Sequence, residues 1–194
     1  MPSERVLIAG VTGSGKTTLA RRLGDLWGLR HVEIDALFHG PNWTPRPEFL
    51  ADVQAFSRED RWVTEWQYTS RGTSEILAPR GQLVIWLDYP YRTVRRRLFT
   101  RTLIRAVRRT ELWNGNRERG LANMFHPDPY QNILQWQKRT LRSWHERMPQ
   151  MQQEYPHLEL IRFRHPREAE AWIRAQAEAS GVSIAPPKRR SRAR

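Results

Sequence analysis

Eight consecutive residues carry the most specific chemistry in this chain: Gly10-Val11-Thr12-Gly13-Ser14-Gly15-Lys16-Thr17. They fit the spacing Gly-x-x-x-x-Gly-Lys-Ser/Thr, the Walker A pattern, in which each fixed type has a physical task. Glycines let the backbone wrap closely round an anion and turn its N–H groups inward. A helix starting near Lys16 adds the positive end of its dipole. The Lys16 ammonium reaches β- and γ-phosphates, and the Thr17 hydroxyl ligates Mg²⁺. The expected phosphate-binding set is therefore Gly10, Thr12, Gly13, Ser14, Gly15, Lys16, Thr17 and Thr18, with ATP and Mg²⁺ as cofactors.

Three acids follow short apolar runs and are expected at strand ends: Asp35, Glu65 and Asp88. In a doubly wound sheet, ligands sit beyond the carboxyl ends of the strands. Phosphoryl transfer needs an oriented acceptor and a held magnesium ion, and carboxylates beside the phosphate loop serve both. Asp88 resembles a Walker B aspartate in following an apolar strand, which makes it the expected magnesium partner of Thr17. Each acid also has a structural alternative. Asp35 can cap a following turn, Asp88 can cap the helix after Tyr89-Pro90, and Glu65 can be a solvated strand end.

These groups need a scaffold. Apolar runs at 6–9, 31–34, 62–64, 83–87 and 158–163 read as strands. The first and fourth are apolar throughout, which suits strands covered on both faces of a parallel sheet. Helical spacing recurs at 16–27, with Gly28 placed as its C-cap, and at 47–56, 92–107, 132–153 and 166–177. Alternating strands and helices predict an α/β fold with a five-stranded, mostly parallel sheet.

The 194 residues suffice for one domain with a sizeable core. There is no cysteine, which excludes disulfides and thiolate-ligated metal sites. No apolar run reaches the ~18 residues of a membrane span. An apolar strand followed at once by the glycine loop leaves no room for a signal peptide, so a cytoplasmic protein is expected. The formal net charge is +13, and eight arginines in 92–109 with five basic residues in 188–194 account for the whole excess. A basic surface of this kind fits nucleic acid, and a basic helix beside a phosphate loop fits a polyphosphate equally well. Of the nine tryptophans, Trp27, Trp86 and Trp172 fall on core faces, whereas Trp43 and Trp66 fall near the expected acceptor cleft.

The order of these features resembles the small P-loop kinases, the group of adenylate, shikimate and gluconate kinases. In that group the aspartate ending the second strand orients the acceptor, which here is Asp35. The closest resemblance is to the bacterial adenylate-kinase-like proteins labelled DNA topology modulation proteins, and it covers about residues 5–175. It rests on Ile34-Asp35-Ala36-Leu37-Phe38, Asn42-Trp43, Trp62-Val63 with Tyr68, Trp86-Leu87-Asp88-Tyr89-Pro90, the arginine series, and the run Glu111-Leu112-Trp113-Asn114-Gly115-Asn116-Arg117-Glu118. These relatives carry Asp-Gly-Asn-Tyr after the third strand, where this chain has Glu65-Trp66-Gln67-Tyr68. The tryptophan in place of glycine is expected to reshape the acceptor side.

The resemblance implies a domain over 1–180 with an arginine-bearing lid at about 92–128, and the composition, Ala185-Pro186-Pro187 followed by a basic heptad, reads as a basic, disordered tail over 181–194. It implies catalytic roles for Lys16, Asp35, Arg96 and Arg101. Trp43, Glu65, Tyr68 and Arg117 are implied on the substrate side, with Arg97 a structural residue. It also places adenine near His165-Pro166-Arg167. The expected activity is transfer of the γ-phosphoryl group of ATP to a nucleotide- or polyol-type small molecule. The alternatives are a nucleic-acid-associated NTPase, using the basic helix and tail, and a nucleotide-binding regulator.

Overall fold

The computed structural model describes residues 2–108, 113–116 and 132–182. Arg117, the basic tail at 188–194 and much of the second half of the expected lid lie outside the described residues. Five strands, β1 (Arg5–Gly10), β2 (Arg30–Val32), β3 (Trp62–Glu65), β4 (Leu83–Leu87) and β5 (Glu159–Phe163), form one sheet in the order β2-β3-β1-β4-β5. Every pairing is parallel, so the sheet is wholly rather than mostly parallel. Parallel neighbours need crossovers, and the sequence supplies helices between the strands. These are α1 (Lys16–Trp27), α2 (Ile34–Phe38), α3 (Phe49–Ser57), α4 (Thr73–Leu77), α5 (Tyr91–Arg108), α6 (Ile133–Glu154) and α7 (Pro166–Ala179).

The apolar strands explain the layering. Val6, Leu7, Ile8 and Ala9 of central β1 are all 0 % exposed. Successive strand residues face opposite sides, so burial of all four requires cover on both faces. The chain is thus a three-layer α/β fold. Among the described residues, no helix is long and apolar enough to cross a membrane.

Several elements differ from the sequence expectation for local reasons. β2 stops at Val32, its last pairing with β3 being Val32 to Thr64. The chain then turns, and the Glu65 carboxylate accepts the Ile34 N–H at 3.3 Å. Asp35 consequently sits in the first turn of α2 rather than at a strand end. In α3, Phe49, Val53 and Phe56 are buried as their spacing predicts, whereas Leu50 is 40 % exposed. The long helix α6 begins where Asn132 caps it, its side chain accepting the Leu134 and Gln135 N–H groups.

Trp66 corrects a second expectation. It is 0 % exposed, and its ring meets Trp144 of α6 at 6.0 Å. The residue replacing glycine after β3 therefore turns into the core rather than into the cavity.

Candidate active site

The phosphate loop runs between β1 and α1. Two of its glycines are conformationally required. Gly15 caps α1 at φ 101, where a side chain is strained. Gly13 has φ 83, and a Cβ there would stand 2.7 Å from the Val94 carbonyl and 3.1 Å from Leu98 Cβ, because α5 packs directly on the loop.

Residues Thr12 to Leu19 line a cavity of about 880 Å³, within the range of small-molecule sites. Gly10 ends β1 and lies outside that lining. Arg97, Arg101 and Arg105 complete one wall. Their spacing of four places them on one face of α5. Arg97 donates to the Ser14 carbonyl at 3.1 Å, and Arg101 donates to the Thr12 hydroxyl at 3.3 Å. The helical phase corrects the sequence reading here. Arg96 and Arg97 are both exposed, but Arg96, expected to be catalytic, lies outside the lining, whereas Arg97 lies within it and, through its Ser14 contact, also suits the structural role expected of it.

Lys16 is 7 % exposed and donates to the Val11 carbonyl at 3.2 Å. Burial pulls its pKa down to about 8, with Arg101 pulling the same way and the charges of Asp35 and Glu65 opposing. The loop lysine, both carboxylates and one α5 arginine therefore share one electrostatic neighbourhood.

Glu65 ends β3 beside the loop. Its side chain is 3 % exposed and lies 3.3 Å from His31 Nε2. Burial alone would raise its pKa, but interactions with His31 and with the Thr17 hydroxyl outweigh that and hold it below the usual carboxylate value. A hydroxyl and a carboxylate beside a phosphate loop are the hard oxygen donors that magnesium takes, usually with phosphate oxygens and water completing its shell. Among the described residues no cluster of three metal-ligating side chains occurs, so any divalent ion here needs the phosphates. Thr17 and Glu65 fit that requirement.

Asp88 does not. Its Oδ2 accepts from Arg162 Nε at 2.9 Å and Nη2 at 2.5 Å, and its Oδ1 lies 2.6 Å from His145 Nε2. Arg162 also stacks over Trp86 at 4.4 Å. Both oxygens are committed to β5 and α6, one of them to the permanently charged Arg162, and Asp88, like Glu65 and Asp35, lies outside the cavity lining. The expected magnesium role of Asp88 is corrected on that ground.

Asp35 leads into a second network. The Tyr68 hydroxyl donates to Asp35 Oδ1 at 2.7 Å, and His39 Nε2 lies 3.1 Å from the same hydroxyl. Burial first, and the Asp35 charge second, push the Tyr68 pKa far up, so the phenol keeps its proton. Burial lowers the His39 pKa, which keeps the imidazole neutral at pH 7. With the phenol O–H donated to Asp35, the phenol oxygen accepts from His39 Nε2, and His39 Nδ1 is left as a buried acceptor.

Sequence reasoning missed other participants. Glu33 lines the cavity and accepts from Trp113 Nε1 at 2.7 Å and from Arg21 at 3.2 Å. Trp113 was visible as a motif residue but carried no sign of lining the cavity beside Trp43. Gln137 of α6 is 0 % exposed and donates to the Thr12 carbonyl at 2.7 Å. No local pattern marks a partner 125 positions away. At the cavity's far end lie Tyr89, Pro166, Ala169 and the paired Arg22 and Glu170. Arg117 falls outside the described residues.

No protein-family model matches this sequence, and no curated protein matches it. Solved structures do match. A shikimate kinase from Acinetobacter baumannii, solved in complex with shikimate, has TM-score 0.54 at 17 % identity over 91 % of this chain and 92 % of that one. A shikimate kinase from Bacteroides thetaiotaomicron has TM-score 0.50 at 13 % identity over 93 % of this chain and all of the other, 100 %. Likeness at such identities is likeness of fold, and the chain has the parallel α/β fold of these P-loop kinases.

Proposed function

We propose that this chain binds Mg-ATP in the cavity and transfers the γ-phosphoryl group to a small-molecule alcohol presented on the Asp35 side. One observation carries the reading: the phosphate loop, with Lys16 buried in it, lines a cavity of about 880 Å³ walled by Arg97, Arg101 and Arg105. Phosphoryl transfer asks a protein for that combination of positioning and fixed charge.

The roles follow from position. Lys16 and the loop N–H groups hold the β- and γ-phosphates. Thr17 and Glu65 hold magnesium, which neutralises phosphate charge when bound. Arg97, Arg101 and Arg105 stabilise charge on the moving group. Asp35, held by Tyr68, orients the acceptor hydroxyl. The acceptor oxygen bonds to the γ-phosphorus as the bond to the β–γ bridging oxygen breaks. ADP departs with that electron pair, and the hydroxyl proton passes to Asp35. The cavity end lined by Tyr89, Pro166 and Ala169 takes the base.

The fold shared with two shikimate kinases supports a kinase over a structural protein. Three of the α5 arginines face the cavity, which favours a polyphosphate over a nucleic-acid backbone as their partner. Among small P-loop kinases, the segments 34–38 and 113–116 support a place beside the DNA topology modulation proteins.

The test is ADP release from Mg-ATP with nucleosides, polyols and sugar acids as acceptors. At least one acceptor raises release well above the acceptor-free rate, and Lys16→Ala abolishes it. If every acceptor leaves the rate at background while ATP still binds, transfer is refuted.

A further inference from the structure

The acceptor corner is built from rings. Trp43 and Trp113 both line the cavity and meet edge to face, with centroids 6.4 Å apart at 86°. His39 lies against both, at 5.0 Å edge-on to Trp43 and 6.1 Å stacked on Trp113. Neither indole belongs to the buried core, which takes Trp62 and Trp66 at 0 % exposure instead.

The backbone of this corner is strained. Among the described residues, the non-glycine positions with positive φ are Asn42 at 55, Trp43 at 61, Tyr68 at 58 and Asn114 at 54. All four belong to this one corner. Asparagine tolerates the conformation, but a tryptophan there is an outlier. Strain of this kind persists only where neighbours over-determine it, typically at ligand clamps.

The neighbours are identifiable. Asn116 accepts the Trp43 N–H at 2.9 Å and donates to the Gly40 carbonyl at 2.8 Å. Asn114 donates to the carbonyls of Ala36 at 3.4 Å and His39 at 2.5 Å. Glu33 fixes the Trp113 indole through its N–H. Two ring faces are therefore fixed at right angles against a cavity at some backbone cost.

The charges around the corner narrow what fits there. Glu33 touches Trp113, and Asp35 lies beyond Tyr68 and His39, so an acid would meet carboxylates. Arg21 is paired with Glu33, and Arg71 stands over Phe38 at 5.0 Å. Glu33 and Arg21 already satisfy one another at this corner, so a charged acceptor group finds no unpaired counter-charge in that pair, whereas an uncharged flat ring needs none and offers faces and edges to both indoles.

Resting on the kinase reading above, we propose that the Trp43–Trp113 corner holds the unsaturated ring of an uncharged alcohol acceptor. The class is heterocyclic or aryl alcohols, nucleosides among them.

The test uses full-length protein labelled with 5-fluorotryptophan, a non-hydrolysable ATP analogue and Mg²⁺. Uridine, thymidine and 3-pyridinemethanol are titrated against gluconate, shikimate and glycerol. Ring alcohols shift the fluorine resonances of Trp43 and Trp113, assigned with Trp43→Phe and Trp113→Phe, and the other three compounds do not. Trp113→Leu weakens ring-alcohol affinity roughly 10–100-fold, the weight of one stacked ring, while Trp113→Phe retains most of it. The wild-type spectra need no variant to fold beyond the two conservative ones used for assignment. Ring alcohols that leave both resonances unmoved overturn the proposal. In a parallel assay with Mg-ATP in place of the analogue, ADP release with gluconate, shikimate or glycerol but with no ring alcohol also overturns it and leaves the kinase reading standing. Ring alcohols that shift both resonances without ADP release sustain the ring site and refute phosphoryl transfer.

Discussion

Glu65 and Asp88 occupy matching places. Each closes or follows a strand that flanks β1, and they are 2 % and 9 % exposed. Their surroundings differ completely. Glu65 faces His31, the Ile34 N–H and Thr17 of the phosphate loop. Asp88 faces Arg162 and His145, which arrive from β5 and α6. Strand order puts an acid at the functional level of a parallel sheet. The side chains sent in by neighbouring elements decide whether that acid faces a loop hydroxyl and a histidine or is held by a permanently charged arginine.

The contrast breaks most sharply at Glu65. Glu65→Gln keeps the volume and removes the charge beside Thr17. We expect acceptor-dependent ADP release to fall about 100-fold or more, as loss of a group supporting a metal does. Melting measurements check that the fold survives. A drop under threefold would detach Glu65 from the loop chemistry.

The arginine wall gives the next effect. Arg101→Ala, which loses the Thr12 contact and a cavity charge, is expected to lower kcat/KM roughly 10–100-fold. Arg96→Ala should stay within about twofold. Equal losses in both would remove the helical-phase argument.

The pH dependence sharpens the loop side. Phosphates favour charged Lys16, so binding takes up a proton once the free lysine titrates, near pH 8. Nucleotide affinity should fall up to about tenfold per unit as pH rises above 8. Calorimetry in buffers of different ionisation enthalpy measures that uptake. The stability sign is opposite. Lys16 has a folded pKa near 8 and an ordinary value of 10.5. Between these values the unfolded chain holds more protons, so the penalty of burying Lys16 is relieved as pH rises. For Glu65, whose folded pKa lies below the ordinary 4.5, the stabilising term is lost on acidification below that value.

The smallest catalytic effect belongs to Asp88. Asp88→Asn leaves Arg162 without its charge partner, and Arg162 is 37 % exposed. The expected cost is about 1–2 kcal/mol by denaturant titration, with ADP release altered less than about threefold. A large catalytic loss with unchanged stability would return Asp88 to the site.

What could be read beforehand divides along the same line. The phosphate loop is eight consecutive residues with a local rule, and the apolar runs of β1 and β4 announce strands buried on both faces. The partners of Asp88 lie 57 and 74 positions away, so nothing local marks that carboxylate as engaged. Arg96 and Arg97 are adjacent in sequence, and only the placement of α5 on Gly13 decides which one meets the loop. Trp66 follows an acid at a strand end, and only α6 packing against it tells core from cleft. Residues whose role comes from their own neighbours in sequence were legible. Residues whose role comes from a distant element were not.

The strand order also has a consequence in time. Central β1 is made first, yet its partners are distant: Arg5 pairs with Trp62 and Val6 with Leu83. The loop's outer carbonyls wait longer still, for Arg97 and then Gln137. A chain emerging from the ribosome therefore exposes a strand destined for burial on both faces well before anything can cover it. Loop closure over such separations slows folding. The loop's contacts are complete only after α6 has been synthesised, so on the proposed reading a bound nucleotide would stabilise only a nearly finished fold.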